Sequence, residues 1–505
     1  MRLLATCLLG IAVAAAGLSG WSYLAHAPEP PPGPEIATRS FSPEELAADL
    51  EFVLRTFEEV HPDLYFHVSK ESIAARAAEL RKALARPMTR KEFWPLLAEL
   101  AASFGDGHTG LEFPGLELRS AIENGERWFP LEVDAFEDGA LRVSAVHEPG
   151  AAVEPGAWLT SIAGRPAGEL FSRFVKTLSG EKLYYREYQA LRNFRILLWI
   201  EGLEPPFDIE WRTAPDAPAQ RTVLGGVTWE ALREAKEKRH SESADFRFER
   251  MDGDIGYLEL RRMRRLGAFR SFLERTFREI QRRPIRGLVI DLRRNGGGST
   301  DIGHALLSYI TDKPYRMMAR MELKVSRQKK RWIEETYFPR ALRWLPLQYL
   351  HPLGRRIWRA PEGSILGFEA ETKVPPENPL RYDGPVCVLI GPRTFSSAQK
   401  LANAIKDYHL ATLIGRETGG NPNAFGEIYS FRLPHTRLQA RASTKRYVRA
   451  NGDASWSRGI LPDIEVIPTL EDKRSGRDRA LEVAREWILA QRSPEAAPAR
   501  GRAGS

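Results

Sequence analysis

Cysteine is scarce in this sequence, with two residues among 505, and this excludes a fold held by several disulfides. Cys7 lies in an apolar stretch near the start, and Cys387 lies in the apolar run Pro385 to Ile390, which is typical of a buried strand. A chain processed beyond Cys7 could form no internal disulfide, so we expect the core alone to hold the fold. The apolar surroundings of Cys387 favour a core side chain over a nucleophile.

Signatures of nucleic-acid binding are also missing. The sequence has no basic arm, no RNA-binding motif and no spacing typical of zinc ligands. Its 74 basic and 66 acidic residues give a net charge of only +8. This slight excess is compatible with attraction to an acidic membrane surface. It does not indicate a nucleic-acid partner, and we predict none.

The first residues are typical of an export signal. The apolar run from Leu3 to Leu18 follows a basic residue and is followed by small residues, as in signal peptides. Residues 25–27 (Ala-His-Ala) resemble a cleavage site, but Pro28 directly after them disfavours cleavage. We therefore predict an exported protein, periplasmic or anchored and facing outward, with residues 1–27 as signal peptide or anchor. As an anchor, the run is short for a full membrane span.

The rest of the chain is long enough for two or three domains. After a Pro-rich linker at 28–41, residues 42–126 show helical periodicity, beginning with the cap Ser42-Pro43. Residues 127–215 have short apolar segments, turns and little helix. The stretch from Ala145 to Gly164 resembles part of a PDZ domain, and a generic β-rich insert is the alternative.

Residues 245–470 alternate strands with helices. The pattern predicts strands at Ile255–Leu260, Gly287–Leu292 and Val386–Ile390, and helices at Phe269–Gln281 and Ser397–Tyr408. The sequence thus predicts a mixed α/β chain in which helices pack on a sheet. In such sheets, chemistry collects in the loops beyond the carboxyl ends of the strands.

A basic and aromatic insertion at 325–360 interrupts this third region. It carries Trp332, Trp344 and Trp358 among many arginines. A lid, a membrane-surface contact and a partner site are all compatible with it, as is a surface insertion whose aromatics pack back onto the body. The tail at 493–505 is rich in Ala, Pro, Gly and Ser, and we predict that it is disordered.

Two predicted strands are followed by segments suited to catalysis. Asp291 to Gly298 runs from a strand into three glycines, whose N–H groups can approach a ligand and stabilise an oxyanion. A tight turn explains the glycines equally well, whereas a phosphate cradle lacks its Gly-Lys-Ser/Thr continuation. Thr394 to Ala398 lies between a strand and a helix. There Ser396 is a candidate nucleophile and Ser397 a candidate helix cap.

A serine nucleophile needs a base, and His108 in the turn Asp106-Gly107-His108-Thr109 is a candidate. A structural or solvated histidine is the plainer interpretation of such a position. Side-chain chemistry alone leaves three other histidines open as bases: His61, His409 and His435.

Taken together in order, these segments resemble the serine peptidase family that includes tail-specific (carboxy-terminal processing) proteases and the core of tricorn protease. The resemblance covers residues 42–470. It rests on the Asp-Gly-His-Thr turn, the PDZ-like insert and four later motifs: Asp291–Gly297, Ser396–Ala398, Gly415–Gly420 and Gly459–Ile464. It implies a catalytic core of the ClpP/crotonase-like type, Ser396 as nucleophile and a protein or peptide substrate.

The sequence departs from both branches of this family. Tail-specific proteases use a lysine at the position of Asn421, and asparagine cannot act as a base. The tricorn branch uses a histidine that corresponds to His108, but its preceding serine is replaced by Gly107. The position that corresponds to the late glutamate of that branch falls near Trp456, so no glutamate is found there. The resemblance therefore implies His108 as base, with its orienting acid unassigned.

Three acidic residues are candidates for that role, first Glu427 and then Asp106 and Asp453. The resemblance also implies an oxyanion hole from the N–H groups of Gly297 and Ser397, and no metal or organic cofactor. A catalytically silent peptide- or ligand-binding protein and an esterase are the alternatives. The oligomeric state is not predicted.

Overall fold

The computed structural model describes residues 33–239, 245–469, 471–472 and 475–491. The predicted signal or anchor, the start of the linker and the tail at 493–505 lie outside the described residues. Within the described ranges the chain forms thirteen α-helices and nineteen strands, which confirms the predicted mixed α/β class. No helix of this part of the chain is both long enough and apolar enough to span a membrane.

The N-terminal region is mainly helical. It contains α1 (Pro43–Val60), α2 (Lys70–Ala83), α3 (Arg90–Ala102) and α4 (Gly115–Glu123), and the short strands β1 (Ser40–Phe41), β2 (Met88–Thr89) and β3 (Gly110–Leu111). Ser42 caps α1 as predicted: its Oγ accepts from the Glu45 N–H at 3.3 Å, and Glu45 accepts from the Ser42 N–H at 2.9 Å. This reciprocal capping box satisfies two free donors at the helix start.

The next region forms a β-sheet in the order β4-β5-β6-β8-β9, with β7 added to β6. Its strands are β4 (Leu131–Glu137), β5 (Ala140–Val146), β6 (Trp158–Ile162), β7 (Arg165–Pro166), β8 (Phe207–Arg212) and β9 (Gln220–Leu224). Helices α5 (Ala167–Lys176) and α6 (Leu183–Ile200) cover it, and α7 (Trp229–Arg239) follows. This region and the N-terminal helices share one apolar core.

The expectation of little helix in residues 127–215 is wrong, because α6 alone has 18 residues. Its buried face recurs at helical spacing through Ala190, Phe194 and Leu197. Arginines and tyrosines interrupt the apolar pattern, and no side chain caps the helix start. The segment therefore lacks the usual start signal of a helix.

The third region is built on a six-stranded sheet in the order β10-β11-β12-β15-β16-β19. The strands are β10 (Phe246–Met251), β11 (Ile255–Leu260), β12 (Gly287–Asp291), β15 (Val386–Ile390), β16 (Thr412–Gly415) and β19 (Ile464–Glu465). All pairs are parallel except β10 with β11. Helices α8 (Leu266–Arg282), α9 (Thr300–Leu307) and α12 (Ser397–Asp407) cover one face, and α13 (Arg479–Ala490) covers the other.

Successive side chains of the central strands point alternately to the two helical layers. Val386 and Val388 of β15 join the core under α8, α9 and α12, whereas Cys387 faces α13. Cys387 is fully buried, and burial raises the pKa of its thiol to about 12. This confirms the prediction of a core cysteine, since reactivity requires the thiolate.

A second, antiparallel sheet lies beside the first, in the order β14-β13-β18-β17 with β3 added to β18. Its strands are β13 (Arg320–Lys324), β14 (Ile365–Glu369), β17 (Phe425–Arg432) and β18 (Gln439–Val448). The basic insertion connects β13 to β14 through α10 (Arg327–Tyr337) and α11 (Pro352–Arg359). Of its tryptophans, Trp332 is buried and Trp358 half-buried, but Trp344 is exposed. The alternative in which its aromatics pack back onto the body therefore does not hold for Trp344.

Asp49 ties α1 to the turn between β17 and β18. Its buried carboxylate accepts hydrogen bonds from the N–H of His435 at 2.9 Å and of Thr436 at 2.8 Å, and from the Thr436 hydroxyl at 2.5 Å. His435 thus has a place in this turn rather than near Ser396.

Replacing Asp49 should loosen this attachment. We expect Asp49→Ala to lower the free energy of unfolding by about 2–3 kcal/mol, because three donors lose their acceptor and at least one stays buried. Urea denaturation measures the change. The control is Glu51→Ala on the same helix, which removes an exposed ion pair with Arg81 and should cost far less. Equal losses in the two variants would contradict this role for Asp49.

Candidate active site

Ser396 lies in a sharp turn between the end of β15 and the start of α12. Its backbone has φ +55° and ψ −123°, a conformation that costs a non-glycine residue strain and that clusters at functional sites. Thr394 secures the turn, because its Oγ donates to the Leu292 carbonyl at 2.9 Å and accepts from the Gly391 N–H at 3.1 Å. Ser396 precedes the first residue of α12, but its hydroxyl makes no capping bond and is free for other contacts.

The glycine-rich loop after β12 packs directly against this turn. Asn295 is buried and anchors the loop and the turn. Its Nδ2 donates to the Leu260 carbonyl at 2.8 Å, and its backbone carbonyl accepts from the Phe395 N–H at 3.1 Å. Gly297 has φ +104°, and a Cβ there would lie 2.8 Å from the Ser396 Cβ. Only glycine allows the two loops to approach this closely.

The two N–H groups expected in the oxyanion hole differ in their bonding. The Gly297 N–H donates to Asn295 Oδ1 at 2.9 Å and is therefore used inside the loop. The Ser397 N–H has no hydrogen-bond acceptor among the described residues. The Ser397 side chain is not the helix cap that the sequence suggested, because its hydroxyl donates to the Gly298 carbonyl at 2.5 Å.

His108 reaches this turn from the N-terminal region. Its Nε2 lies 3.2 Å from Ser396 Oγ, within hydrogen-bond distance. The ring is stacked on Phe395, with 4.8 Å between ring centroids. Burial lowers the pKa of His108 to about 4, although the charge of Asp106 opposes this shift. The ring is therefore neutral near pH 7 and can accept a proton at Nε2.

Asp106 anchors the turn that carries His108. Its Oδ2 accepts from the Thr109 hydroxyl and the Ser443 hydroxyl, each at 2.6 Å, and contacts His61 Nε2 at 3.2 Å. Because His61 Nδ1 accepts from the Asp63 N–H at 3.1 Å, His61 Nε2 carries the proton and donates. Burial alone would raise the pKa of Asp106, but the bonds and charges of its neighbours hold it well below its usual range.

The other carboxylate oxygen of Asp106 faces His108. Oδ1 accepts from the His108 backbone N–H at 2.9 Å and lies 3.9 Å from His108 Nδ1. The distance to Nδ1 is too long for a hydrogen bond, and the buried Nδ1 has no other partner among the described residues.

Glu427, the first acid proposed from the sequence, contacts other residues. Its carboxylate pairs with Lys329 and with Lys445, the latter at 2.7 Å, and accepts from the Thr444 hydroxyl at 2.7 Å. These lysines hold the pKa of Glu427 far below its usual range despite its burial. The described residues show no contact between Glu427 and His108. Asp453 likewise bonds to Ser455, in a surface turn.

The remaining candidate bases do not contact Ser396 in the described structure. His61 contacts Asp106, and His409 follows the end of α12. Asn421 is buried, and its Oδ1 accepts from the Asn423 N–H at 2.9 Å. The nearest lysine in sequence, Lys400, lies one helical turn after Ser396, and its Nζ lies 3.0 Å from the centre of the Tyr447 ring.

The sequence did not suggest Glu181, which lies in the loop before α6. Both of its carboxylate oxygens are buried, and no side chain among the described residues forms a hydrogen bond with them. A Cβ at Gly107 would lie 2.8 Å from the Phe395 ring and 3.4 Å from Glu181 Oε2, so the glycine mainly leaves room for Phe395 and places Glu181 beside the turn of His108. Burial, aided by the charge of Asp106, raises the pKa of Glu181 to about 8. No motif surrounds Glu181, so only the folded chain reveals it.

The protonation of His108 can be measured directly. We expect its ring to titrate near pH 4 rather than near the usual 6.5, because the charged form is desolvated. NMR of the chain with ¹³C-labelled histidine, with His108→Gln to identify the resonance among ten histidines, gives the midpoint. A midpoint at or above 6.5 would show that the ring is not buried as described.

Comparison with known proteins adds a family match. Residues 254–466 match the model of peptidase family S41. An uncharacterized protein of Chlamydia muridarum (strain MoPn / Nigg) is 27% identical over 231 residues, which are 37% of this chain and 35% of that protein. A carboxy-terminal-processing protease of Bartonella bacilliformis is 24% identical over 243 residues, 46% of this chain and 43% of that protein. The chain thus spans less than half the length of these curated relatives.

Solved structures with the same fold include mature CPAF complexed with lactacystin. The TM-score is 0.63 at 16% identity, covering 88% of this chain and 98% of the other. Mature CPAF itself gives a TM-score of 0.60 at 17% identity, covering 88% and 97%. At this identity the likeness extends to the fold alone.

Proposed function

We propose that residues 254–466, which match the model of peptidase family S41, are the catalytic domain of an exported serine peptidase. The match is to the family that the motifs predicted. In this proposal Ser396 attacks the peptide carbonyl and His108 is its general base. The contact of 3.2 Å between Ser396 Oγ and His108 Nε2 is the observation that carries it. The two residues are 288 positions apart, so they meet only through the fold.

The reaction would run through an acyl-enzyme. Ser396 Oγ bonds to the carbonyl carbon while His108 Nε2 takes the hydroxyl proton, and the protonated ring returns that proton to the departing amine. Water then attacks the ester with the same base. The N–H of Ser397, at the start of α12, has no acceptor among the described residues and would supply one donor for the oxyanion. With the Gly297 N–H bound to Asn295, we assign the second donor to the next amide, that of Gly298.

Asp106 is the acid we assign to His108. After proton transfer the ring is a cation and needs an anionic acceptor at Nδ1, and Asp106 Oδ1 lies 3.9 Å away with its pKa held low. Glu181 is the competing carboxyl. Its pKa of about 8 leaves it mostly protonated near pH 7, so it would stabilise the cation poorly. The order of pKa values therefore favours Asp106.

The nucleophile can be tested with a fluorophosphonate probe. We expect the intact chain to be labelled, Ser396→Ala to lose labelling entirely, and the control Ser271→Ala, an exposed serine of α8, to be labelled like the intact chain. Turnover of matched peptide and ester substrates follows in the same preparations. A folded chain that is not labelled would favour a silent binding protein, and ester turnover without peptide turnover would favour an esterase.

Two isosteric variants distinguish the acids. We expect Asp106→Asn to lower kcat by about 10²–10⁴-fold with little change in KM, because the imidazolium loses its counter-charge. Glu181→Gln, which replaces a carboxyl already neutral, should change kcat less than about tenfold. Steady-state kinetics on variants with intact unfolding transitions gives the comparison. The opposite order of losses would assign the role to Glu181.

A further inference from the structure

The insertion between β13 and β14 packs onto these two strands and carries a set of exposed side chains. Leu323 of β13 forms a small buried cluster with Val325 and Ile357. Seven side chains of the insertion are exposed and are here called the outer face: Arg340, Arg343, Trp344, Tyr349, Leu350, Arg355 and Arg359.

Large apolar side chains on the outer face are open to solvent. Trp344 is 79% exposed, Leu350 58% and Tyr349 38%. Of the other two tryptophans of the insertion, Trp332 is buried and Trp358 is half-buried, so Trp344 is the most exposed of the three. Exposed apolar groups gathered on one face are typical of an interaction surface.

The arginines around them lack acidic partners. Residues 338–361 contain five arginines and no aspartate or glutamate. Arg343 donates to the carbonyls of Phe338 and Glu335, and Arg355 to that of Tyr349, at 3.0–3.1 Å. Among the described residues, none of the four outer-face arginines forms an ion pair. On α11, Arg355 and Arg359 are four residues apart and lie on the same exposed side.

We propose that the outer face binds the surface of a bilayer that contains anionic phospholipids. Guanidinium groups bind phosphate with two parallel hydrogen bonds, which suits lipid headgroups. Tryptophan and tyrosine favour the interface between headgroups and acyl chains, and a protruding leucine gains by entering the apolar layer. An acidic protein or nucleic acid would pair with the arginines, but it would give Trp344 and Leu350 no apolar environment to enter.

Vesicle binding tests this proposal on the full chain. The apolar segment Leu3–Leu18 would bind neutral and anionic vesicles alike, so the ratio of the two affinities isolates the outer face. We expect tighter binding to vesicles of phosphatidylcholine mixed with phosphatidylglycerol than to phosphatidylcholine alone, and a ratio that falls as salt is raised. Replacing the four arginines by glutamine should lower the ratio at least about tenfold.

The matched control replaces four other exposed arginines, Arg76, Arg270, Arg275 and Arg282, by glutamine. It has the same net charge, and its ratio should stay near that of the intact chain. Brominated lipid should quench the tryptophan fluorescence of Trp344→Phe less than that of the intact chain. A ratio of one for the intact chain, or equal ratios for both quadruple variants, would overturn the proposal. Retention on polyglutamate or heparin without vesicle binding would also overturn it.

Discussion

The carboxylate of Asp106 is the contact on which the candidate site depends. It accepts hydrogen bonds from His61 and Thr109 of the N-terminal region and from Ser443 of the second sheet. The same group bonds to the backbone N–H of His108. A buried carboxylate needs several donors to offset its desolvation, and here each donor comes from an element that must be packed correctly. The group thus joins the parts of the chain that together aim His108 at Ser396.

The other half of the site depends on close backbone contact. Ser396 holds a strained conformation because the loops after β12 and β15 are bonded to each other at several points. Asn295 and Thr394 supply these bonds from buried positions. The strain is therefore offset by hydrogen bonds in the same two loops, which leaves the serine hydroxyl available for its contact with His108.

The motifs predicted these parts of the site well, for physical reasons. A serine between a strand and a helix, and glycines after a neighbouring parallel strand, meet at one sheet edge in any such fold. His108 followed only from the family resemblance, because its turn alone left three other histidines open as bases. The acid was harder to predict: the sequence ranked Glu427 before Asp106, but the two differ in which partners the fold gives them. Glu181 and α6 carried no local signal, since their placement depends on distant packing. The exposure of Trp344 likewise depends on which face of the insertion has a core.

The separation of His108 and Ser396 along the chain has a consequence for synthesis. His108, the proposed base, is made early, but its contact with Ser396 cannot form until the ribosome has passed Ser396. The support of Asp106 by Ser443 requires a further stretch of chain beyond it. Bringing together segments this far apart in the chain also costs loop-closure entropy. A nascent or truncated chain would therefore carry the histidine without its partner. Under the proposed function, hydrolysis would begin only once translation and docking are finished.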